Sequence, residues 1–361
     1  MQKPFYDPKL SYDDNYNEGP FGLFQDLPSV TLKKGNYELF GHKLEVPFGI
    51  PAGPLLNGKY VKSAWDWGYS LPTYKTVRGN VYPTHPHPNV IRVKVKDKDI
   101  HPGDTVVGEY DIDHIEVEHD GITNSFGVPS KEPEIWQADV KETLKGMKSG
   151  NSMILSFMGT KTESMSRADY IDDFVRTCCL AKETGAPILE VNFSCPNFGK
   201  EGLICNDLEM SRDILEALSS AKGNVPLLVK IGYFGEVQRE GLDKLIESIH
   251  EYADGVCAIN TISAKVVDSE GNQALPGNSV RLSSGICGAT IKWAGLEMAE
   301  YLSNYRKSRQ WQDFVVIGVG GVTRVEDYLA YMSLGVDAVQ SATGAMWKPD
   351  LALQIRNEVN R

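Results

Sequence analysis

The chain has few cysteines, and none of the spacings by which cysteines usually hold metals. Its six cysteines are scattered at positions 178, 179, 195, 205, 257 and 287, and no Cys-x-x-Cys pair occurs. Zinc and iron–sulfur sites built from cysteine commonly use such pairs, so we expect no metal site in this chain. Scattered cysteines are typical of reduced thiols, which predicts a cytoplasmic location.

The chain also has fewer positive than negative side chains. The chain has 37 Lys and Arg against 48 Asp and Glu, giving a net charge of -11. An acidic surface repels phosphate backbones, so we expect no nucleic-acid partner. No apolar run approaches the ~18 residues of a membrane span, and the first residues lack the pattern of a secretory signal. We therefore expect no membrane partner.

What the chain does have is a repeated alternation of short apolar segments with helical patterns. The apolar segments are near-continuous, as is typical of parallel strands buried on both faces. Strands alternating with helices predict an α/β fold of the (β/α)8 TIM barrel type. A doubly wound sheet is the weaker alternative, because no Gly-x-Gly-x-x-Gly follows the first strand. The eight predicted strands cover residues 48–52, 70–76, 153–157, 188–193, 227–231, 255–260, 314–318 and 338–341.

Two segments depart from this alternation. Residues 1–45 are polar with Tyr and Pro, and we interpret them as an N-terminal arm or cap over a barrel domain that spans 46–361. Residues from about 77 to 150 are too many for one ordinary connection. Within them, residues 90–96 alternate with period two, and residues 112–118 do so less cleanly. This pattern predicts an inserted β-hairpin or small sheet near the barrel mouth.

Small or polar residues follow the predicted strands. Loops after the strands build the active sites of (β/α)8 barrels. Polar groups that end buried strands are costly without partners, so we expect them to converge on one polar ligand site. These residues are Ala52, Gly53, Lys75, Thr76, Ser156, Asn192, Lys230, Asn260, Thr261, Gly320, Gly321, Ala342 and Thr343.

Three of these strand ends are the most informative. Asn192-Phe-Ser-Cys195-Pro-Asn197 presents a thiol between two amides. A lone cysteine is usually a small core residue, but its polar flanks favour a catalytic role here. Lys230 follows an apolar run, which favours a functional lysine over a solvated strand end. Gly318-Val-Gly-Gly321 leads a strand into glycines, a pattern typical of phosphate sites in barrels.

Six motifs occur in a fixed order along the chain. They are Lys75-Thr76, Asn124-Ser-Phe-Gly-Val-Pro129, Asn192-Phe-Ser-Cys195-Pro-Asn197, Asn260-Thr261, Ser284-Gly-Ile-Cys-Gly288-Ala-Thr-Ile-Lys292 and Gly318-Val-Gly-Gly321. In kind and order they resemble the motifs of the dihydroorotate dehydrogenase family, flavin enzymes of pyrimidine synthesis. The resemblance covers about residue 48 to the end. It is nearest to the soluble branch that uses cysteine as a base, since the membrane-bound branch has serine at the position of Cys195.

The resemblance implies FMN at the barrel mouth. Its phosphate would lie on the amides of Gly320, Gly321 and Thr343, with Gly288 beside it. Lys230 would lie near N1 and C2 of the flavin ring, where a cation stabilises the anionic reduced flavin. The complete cofactor set that the resemblance implies is Ala52, Gly53, Lys75, Thr76, Ser156, Asn192, Lys230, Asn260, Gly288, Gly320, Gly321, Ala342 and Thr343.

The resemblance also implies a pyrimidine substrate lying flat on the flavin. Cys195 would remove a proton from carbon 5 of dihydroorotate while hydride passes from carbon 6 to flavin N5. A thiol can act as this base because its reference pKa, about 8.5, lies near the operating pH. Lys75 would be a second catalytic residue and would help to hold the substrate carboxylate. The substrate set is Lys75, Asn124, Phe126, Gly127, Val128, Asn192, Asn197, Asn260 and Thr261.

Some questions stay open at this stage. Phe126 and Val128 stand where soluble relatives usually have Met and Leu, and the segment after Cys195 is also similar to the FMN barrel of dihydropyrimidine dehydrogenase. The alternatives are therefore an enzyme acting on uracil-like substrates, or a flavin-binding barrel without catalysis. The electron acceptor implied is fumarate, or NAD reached through a partner subunit, and relatives imply a homodimer.

Overall fold

Eight parallel strands form a nearly closed barrel, which confirms the (β/α)8 prediction. The computed structural model describes residues 3–29, 33–95, 99–194 and 202–360. Within these ranges the strands are β1 (Tyr37–Leu39), β2 (His42–Leu44), β3 (Phe48–Gly49), β4 (Thr73–Val77), β5 (Arg92–Val93), β6 (Thr105–Glu109), β7 (Gly121–Asn124), β8 (Ile154–Phe157), β9 (Ile188–Asn192), β10 (Leu227–Ile231), β11 (Gly255–Ala258), β12 (Ile262–Val267), β13 (Ser283–Gly288), β14 (Val315–Val319) and β15 (Ala338–Gln340).

The barrel strands follow one another in the order β3-β15-β14-β11-β10-β9-β8-β4. Each of the eight overlaps a predicted apolar segment. The two end strands lie close to each other, because the backbone amide of Leu71 donates to Phe48 (3.2 Å) and that of Thr73 donates to Ile50 (2.7 Å). The carboxyl ends of all eight strands therefore meet at one mouth, which is where a site is expected.

Helices between the strands cover the outside of the barrel. A typical example is α4 (Arg167–Lys182), whose N-cap Ser166 forms a capping box with Asp169 and which buries Tyr170, Phe174 and Cys178 at a spacing of four residues. None of the helices in the described part of the chain is long and apolar enough to cross a membrane. The helices are α1 (Tyr12–Glu18), α2 (Gly58–Asp66), α3 (Pro133–Leu144), α4 (Arg167–Lys182), α5 (Leu208–Lys222), α6 (Arg239–Tyr252), α7 (Lys292–Arg309), α8 (Val325–Ser333), α9 (Thr343–Trp347) and α10 (Leu351–Val359).

A short hairpin closes the end of the barrel opposite the mouth. Strands β1 and β2 pair in antiparallel fashion, and their Leu39 and Leu44 are buried. The two leucines pack in one cluster with barrel residues such as Ile154, Ile188 and Leu228. Because apolar side chains fill this end, polar chemistry in the barrel is confined to the mouth and the layer just below it.

A second, five-stranded barrel lies beside the first. Its order is β12-β13-β7-β5-β6, so the segment 77–150 supplies three strands and the connection after β11 supplies two. The small sheet predicted for the insertion is confirmed, but the strand predicted at 112–118 is wrong. Those residues form turns whose apolar side chains Ile112 and Ile115 are buried. The alternating burial of β12 was visible in its sequence as Ile-Ser-Ala-Lys-Val-Val.

The first residues cross near the barrel mouth. The amide of Phe5 donates to the carbonyl of Met346 in α9 (3.2 Å), and the hydroxyl of Tyr60 donates to the carbonyl of Asn15 (2.8 Å). Aromatic side chains from this segment pack on α2 and on its neighbours, as in the stacked pair Phe24 and Trp67. The division into an arm over 1–45 and a barrel domain over 46–361 stays a prediction.

Candidate active site

A cavity opens at the barrel mouth. Five barrel strand ends contribute to its wall, and the second barrel contributes strand β7 and the end of β13. The cavity brings together residues that lie far apart in the chain, as the sequence predicts for a ligand site. The predicted residues that line it are Ala52, Gly53, Asn124, Phe126, Lys230, Asn260, Thr261, Gly288, Gly320, Gly321, Ala342 and Thr343.

The other predicted residues take different positions. Thr76 and Ser156 are buried, and their hydroxyl oxygens lie 2.9 Å apart, so they stabilise each other behind the cavity wall. Lys75, Asn192, Gly127 and Val128 also lie outside the wall itself. Cys195 and Asn197 lie outside the described residues.

A buried network of hydrogen bonds connects two asparagines of the site. The side-chain oxygen of Asn192 accepts from the amide (3.0 Å) and hydroxyl (2.8 Å) of Ser194. Asn260, which lines the cavity, donates to the same hydroxyl at 2.6 Å. Ser194 therefore orients Asn260 and Asn192 at the same time.

Glycines and a threonine form a cradle on one side of the cavity. Gly320 and Gly321 have φ values of +136° and +68°, and a Cβ on Gly321 would lie 2.7 Å from Cα of Lys292. A Cβ on Gly288 would lie 2.8 Å from the carbonyl oxygen of Asp120. The hydroxyl of Thr343 is buried. Among the described residues its neighbour for hydrogen bonding is the thiol of Cys287, which is a weak partner. Glycine is needed here because the backbone packs closely against Lys292 and Asp120. Backbone amides in such a turn, together with the buried hydroxyl of Thr343, are groups that can bind a phosphate.

Lys230 supplies a positive charge to the same cavity. Its side chain is only 4% exposed, and its ammonium donates to the sulfur of Cys257 at 3.4 Å. Burial raises the pKa of Cys257 to about 12, so this thiol is neutral near pH 7. Within the described ranges the Lys230 ammonium forms no ion pair with a carboxylate, and its side-chain partner is the sulfur of Cys257. The field of this cation therefore acts on whatever fills the cavity.

Lys75 is a second buried cation, placed beneath the loop 124–130. Its ammonium donates to the carbonyl of Thr76 (2.8 Å) and to that of Pro129. Burial, reinforced by the nearby charges of Arg78 and Lys131, lowers the pKa of Lys75 to about 7. The lysine thus holds the loop from below and changes charge close to neutral pH.

Two arginines brace the same loop from either side. Arg78 donates to the carbonyls of Val128 (2.9 Å) and Gly127 (3.4 Å), and Arg281 donates to the hydroxyl (3.1 Å) and carbonyl (3.2 Å) of Ser125. Val128 has a φ of +55°, which is strained for a β-branched residue and requires such support. Neither arginine belongs to a recognisable motif, so sequence reasoning missed both.

The first residues of the chain also reach the site. Tyr6 lines the cavity and packs edge-on against Phe126, with ring centroids 5.6 Å apart. Tyr12 contacts the other side of the same ring at 6.2 Å. Tyr6 is a cavity residue that the sequence analysis did not identify, since a single tyrosine carries no specific signal. Cys287 also lines the cavity and lies within one of the six motifs, but it was not predicted as a site residue. No group of His, Cys, Asp and Glu able to hold a metal occurs in the ranges the structure covers.

Comparison with known proteins gives a consistent result. A family model described as Dihydroorotate dehydrogenase matches residues 110–361. The chain is 35% identical to the dihydroorotate dehydrogenase of Dictyostelium discoideum, over 99% of this chain and 98% of that protein. It is 27% identical to the catalytic subunit of dihydroorotate dehydrogenase B (NAD(+)) of Oceanobacillus iheyensis, over 66% and 71% of the two chains. It is 26% identical to the dihydroorotate dehydrogenase (quinone) of Neisseria meningitidis, over 89% and 86%.

Proposed function

The chain belongs to the dihydroorotate dehydrogenase family, and on that premise we propose that it oxidises dihydroorotate to orotate with FMN as its flavin. The family is flavin-dependent. The observation that carries the choice of FMN is that the glycine cradle and the buried Lys230 line the same cavity. A phosphate and an electron-rich ring system are the two groups that such a pair of sites accommodates.

The residues present fit this cofactor at both ends. Gly320, Gly321 and Thr343 would hold the phosphate, and Lys230 would lie beside the flavin ring against Ala52 and Gly53. When bound, FMN accepts the hydride that leaves carbon 6 of the substrate. Lys230 favours the negative charge that the ring gains, because among the described residues its ammonium contacts a neutral thiol and no carboxylate. Thr76, Ser156 and Asn192 support this wall from behind.

The substrate would occupy the part of the cavity that faces the loop 124–130. Asn124 and Asn260 line the cavity and offer amide donors and acceptors that suit the edge of a pyrimidine. Asn192, Asn197 and Thr261 complete the proposed set. The substrate carboxylate would bind the backbone of the loop 126–128 with the charge of Lys75 beneath it, which is the feature that favours dihydroorotate over uracil-like substrates.

Cys195 is the proposed general base. It comes directly after Ser194, whose hydroxyl is bonded to Asn192 and Asn260 at the mouth. The thiolate would take the proton from carbon 5 of the substrate. Lys75 would hold the substrate in position during this transfer. The role of Cys195 rests on the sequence motif.

The proposal also covers the electron acceptor, the location and the oligomeric state. The names of the relatives specify NAD(+) for one protein and quinone for another. For this chain we propose fumarate, or NAD reached through a partner subunit, as the electron acceptor. The scattered cysteines, five of which are free in the described part, favour a cytoplasmic location. We expect a homodimer.

The test is anaerobic titration of the purified protein with dihydroorotate and, in parallel, with dihydrouracil. Bleaching of the visible flavin band by dihydroorotate alone is the expected result. Bleaching by dihydrouracil alone would transfer the assignment to a dihydropyrimidine dehydrogenase-type enzyme. A flavin-loaded protein bleached by neither would favour a binding barrel without catalysis.

Orotate binding should weaken as the pH rises through about 7. The lowered pKa of Lys75 means that the lysine is charged below this pH and neutral above it. A carboxylate prefers the charged form, so the dissociation constant should rise several-fold between about pH 6 and pH 8. The dissociation constant can be measured from the change that bound orotate causes in the flavin spectrum. Uracil, which has no carboxylate, and the variant Lys75→Met should both show a flat profile; a pH-dependent Lys75→Met would contradict this role.

Replacing Arg281 should impair substrate binding more than turnover. The side chain is 2% exposed and bonds the carbonyls of Pro86 (2.9 Å) and Pro88 (3.0 Å) as well as Ser125. We expect Arg281→Gln to raise the KM for dihydroorotate about tenfold or more by shifting the loop, with a smaller change in kcat and unchanged FMN content. Arg281→Lys should recover part of the loss. The control is Arg309→Gln, which changes an exposed arginine. An unchanged KM in Arg281→Gln would contradict the role of Arg281 in supporting the loop.

A further inference from the structure

One acidic residue occurs on the eight barrel strands, and it is Glu190 in β9. Its side chain is fully buried, and neither carboxyl oxygen has a hydrogen-bond partner of ordinary geometry among the described residues. Burying a carboxyl group without partners is unfavourable, whereas an apolar residue here would carry no such cost. A purely structural role therefore gives no reason for an acid at this position.

Glu190 lies one layer below the mouth, on the inner face of the barrel. It pairs in register with Leu228 of β10, while Asn192, two residues later, pairs with Lys230. Side chains two apart on a strand share a face, so Glu190 and Asn192 both point inward. Glu190 is thus diagonal to Lys230, on the neighbouring strand and one layer closer to the closed end.

The thiol of Cys257 lies between the two charged groups. Cys257 accepts from the Lys230 ammonium at 3.4 Å, and its sulfur also lies beside the Glu190 carboxyl group. The thiol in turn donates to Gln340 (3.6 Å), and the amide of Gln340 donates to Thr73 (2.9 Å). A neutral sulfur therefore separates the buried cation from the one acid on the barrel strands.

We propose that Glu190 is a positioning residue that acts across Cys257 on Lys230 and sets how strongly the site favours reduced flavin. This inference rests on the proposed function, because it assumes FMN beside Lys230. A negative charge at Glu190 opposes the positive field that Lys230 exerts on the flavin ring. The pair thereby keeps the cofactor reducible by substrate and still able to pass its electrons on.

Removing the charge of Glu190 should shift the flavin toward its reduced state. Glu190→Gln keeps the shape of the side chain and leaves the Lys230 field unopposed. At a fixed ambient potential we expect the ratio of reduced to oxidised FMN to rise about tenfold, which for a two-electron couple corresponds to about 30 mV. Equilibration with a reference dye during slow anaerobic reduction measures this ratio without any turnover of substrate.

Two further variants make the test specific. Glu142→Gln removes an exposed charge from α3 and should leave the ratio as in the wild type. Glu190→Leu removes the same buried charge, and leucine needs no hydrogen-bond partner. This variant therefore provides the same test if Glu190→Gln fails to fold. Both neutral variants at position 190 should shift the ratio in the same direction.

The outcomes separate this inference from the proposed function. A wild-type protein that takes up no FMN would refute the proposed function. If the wild type holds FMN and is bleached by dihydroorotate, a ratio unchanged in Glu190→Gln and Glu190→Leu would overturn the role of Glu190 alone. A ratio shifted toward oxidised flavin would overturn it as well.

Discussion

Replacing Cys195 with alanine should slow the reduction of the bound flavin by dihydroorotate about 10²- to 10⁴-fold, the usual contribution of a general base. Without a base, the proton on carbon 5 has no acceptor when hydride leaves carbon 6. Cys195→Ser should recover activity only at high pH, because a hydroxyl is a much weaker base than a thiolate near neutrality. Stopped-flow absorbance of the flavin band measures the rate directly.

The matched control for this variant is Cys179→Ser. Cys179 is a half-buried thiol on α4, on the outside of the barrel. Its replacement should leave both the FMN content and the reduction rate unchanged. A Cys195→Ala protein that is reduced at the wild-type rate would remove Cys195 from the mechanism and leave the flavin site itself intact.

Lys230→Met should slow flavin reduction about 100-fold, because a preorganised charge at the site of developing negative charge typically contributes this much. Methionine fills nearly the same volume but leaves the glycine cradle and the cavity wall without a cation. We also expect weaker retention of FMN and a smaller fraction of reduced flavin at equilibrium. This last change is opposite in sign to that expected for Glu190→Gln.

Lys265→Met provides the comparison for Lys230. Lys265 is an exposed residue of β12 in the second barrel, and its replacement removes the same charge away from the cavity. It should behave as the wild type in reduction rate, FMN content and equilibrium. Full activity in Lys230→Met would contradict the assignment of Lys230 to the flavin ring.

The barrel and much of its mouth could be predicted because their signals are local. Each strand is a short apolar run, and Lys230, Gly320 and Gly321 directly follow or end such runs. The resemblance in six ordered motifs then indicates that these strand ends share one site. The same local rule failed at 112–118, where Ile115 and Val117 alternate with acidic residues as in a strand but the segment forms turns.

Other parts of the site could not be predicted because they depend on contacts between distant segments. Arg281 binds Ser125, 156 residues earlier in the chain, and nothing near either residue in the sequence marks the pair. Tyr6 reaches the cavity only because the first residues fold back across the mouth. Lys75 was predicted as a ligand of the site, but only the structure places it beneath the loop and bonded to Pro129.

The central claim is that the glycine cradle and Lys230 mark the two ends of one FMN site. A crystal structure of the protein with FMN and orotate tests it most directly. We expect the phosphate within hydrogen-bond distance of the amides of Gly320 and Gly321, and the Lys230 ammonium beside the flavin ring. Orotate should lie between the ring and the loop 124–130, in contact with Asn124. A flavin bound outside this cavity, or turned so that its ring lies away from Lys230, would contradict the claim.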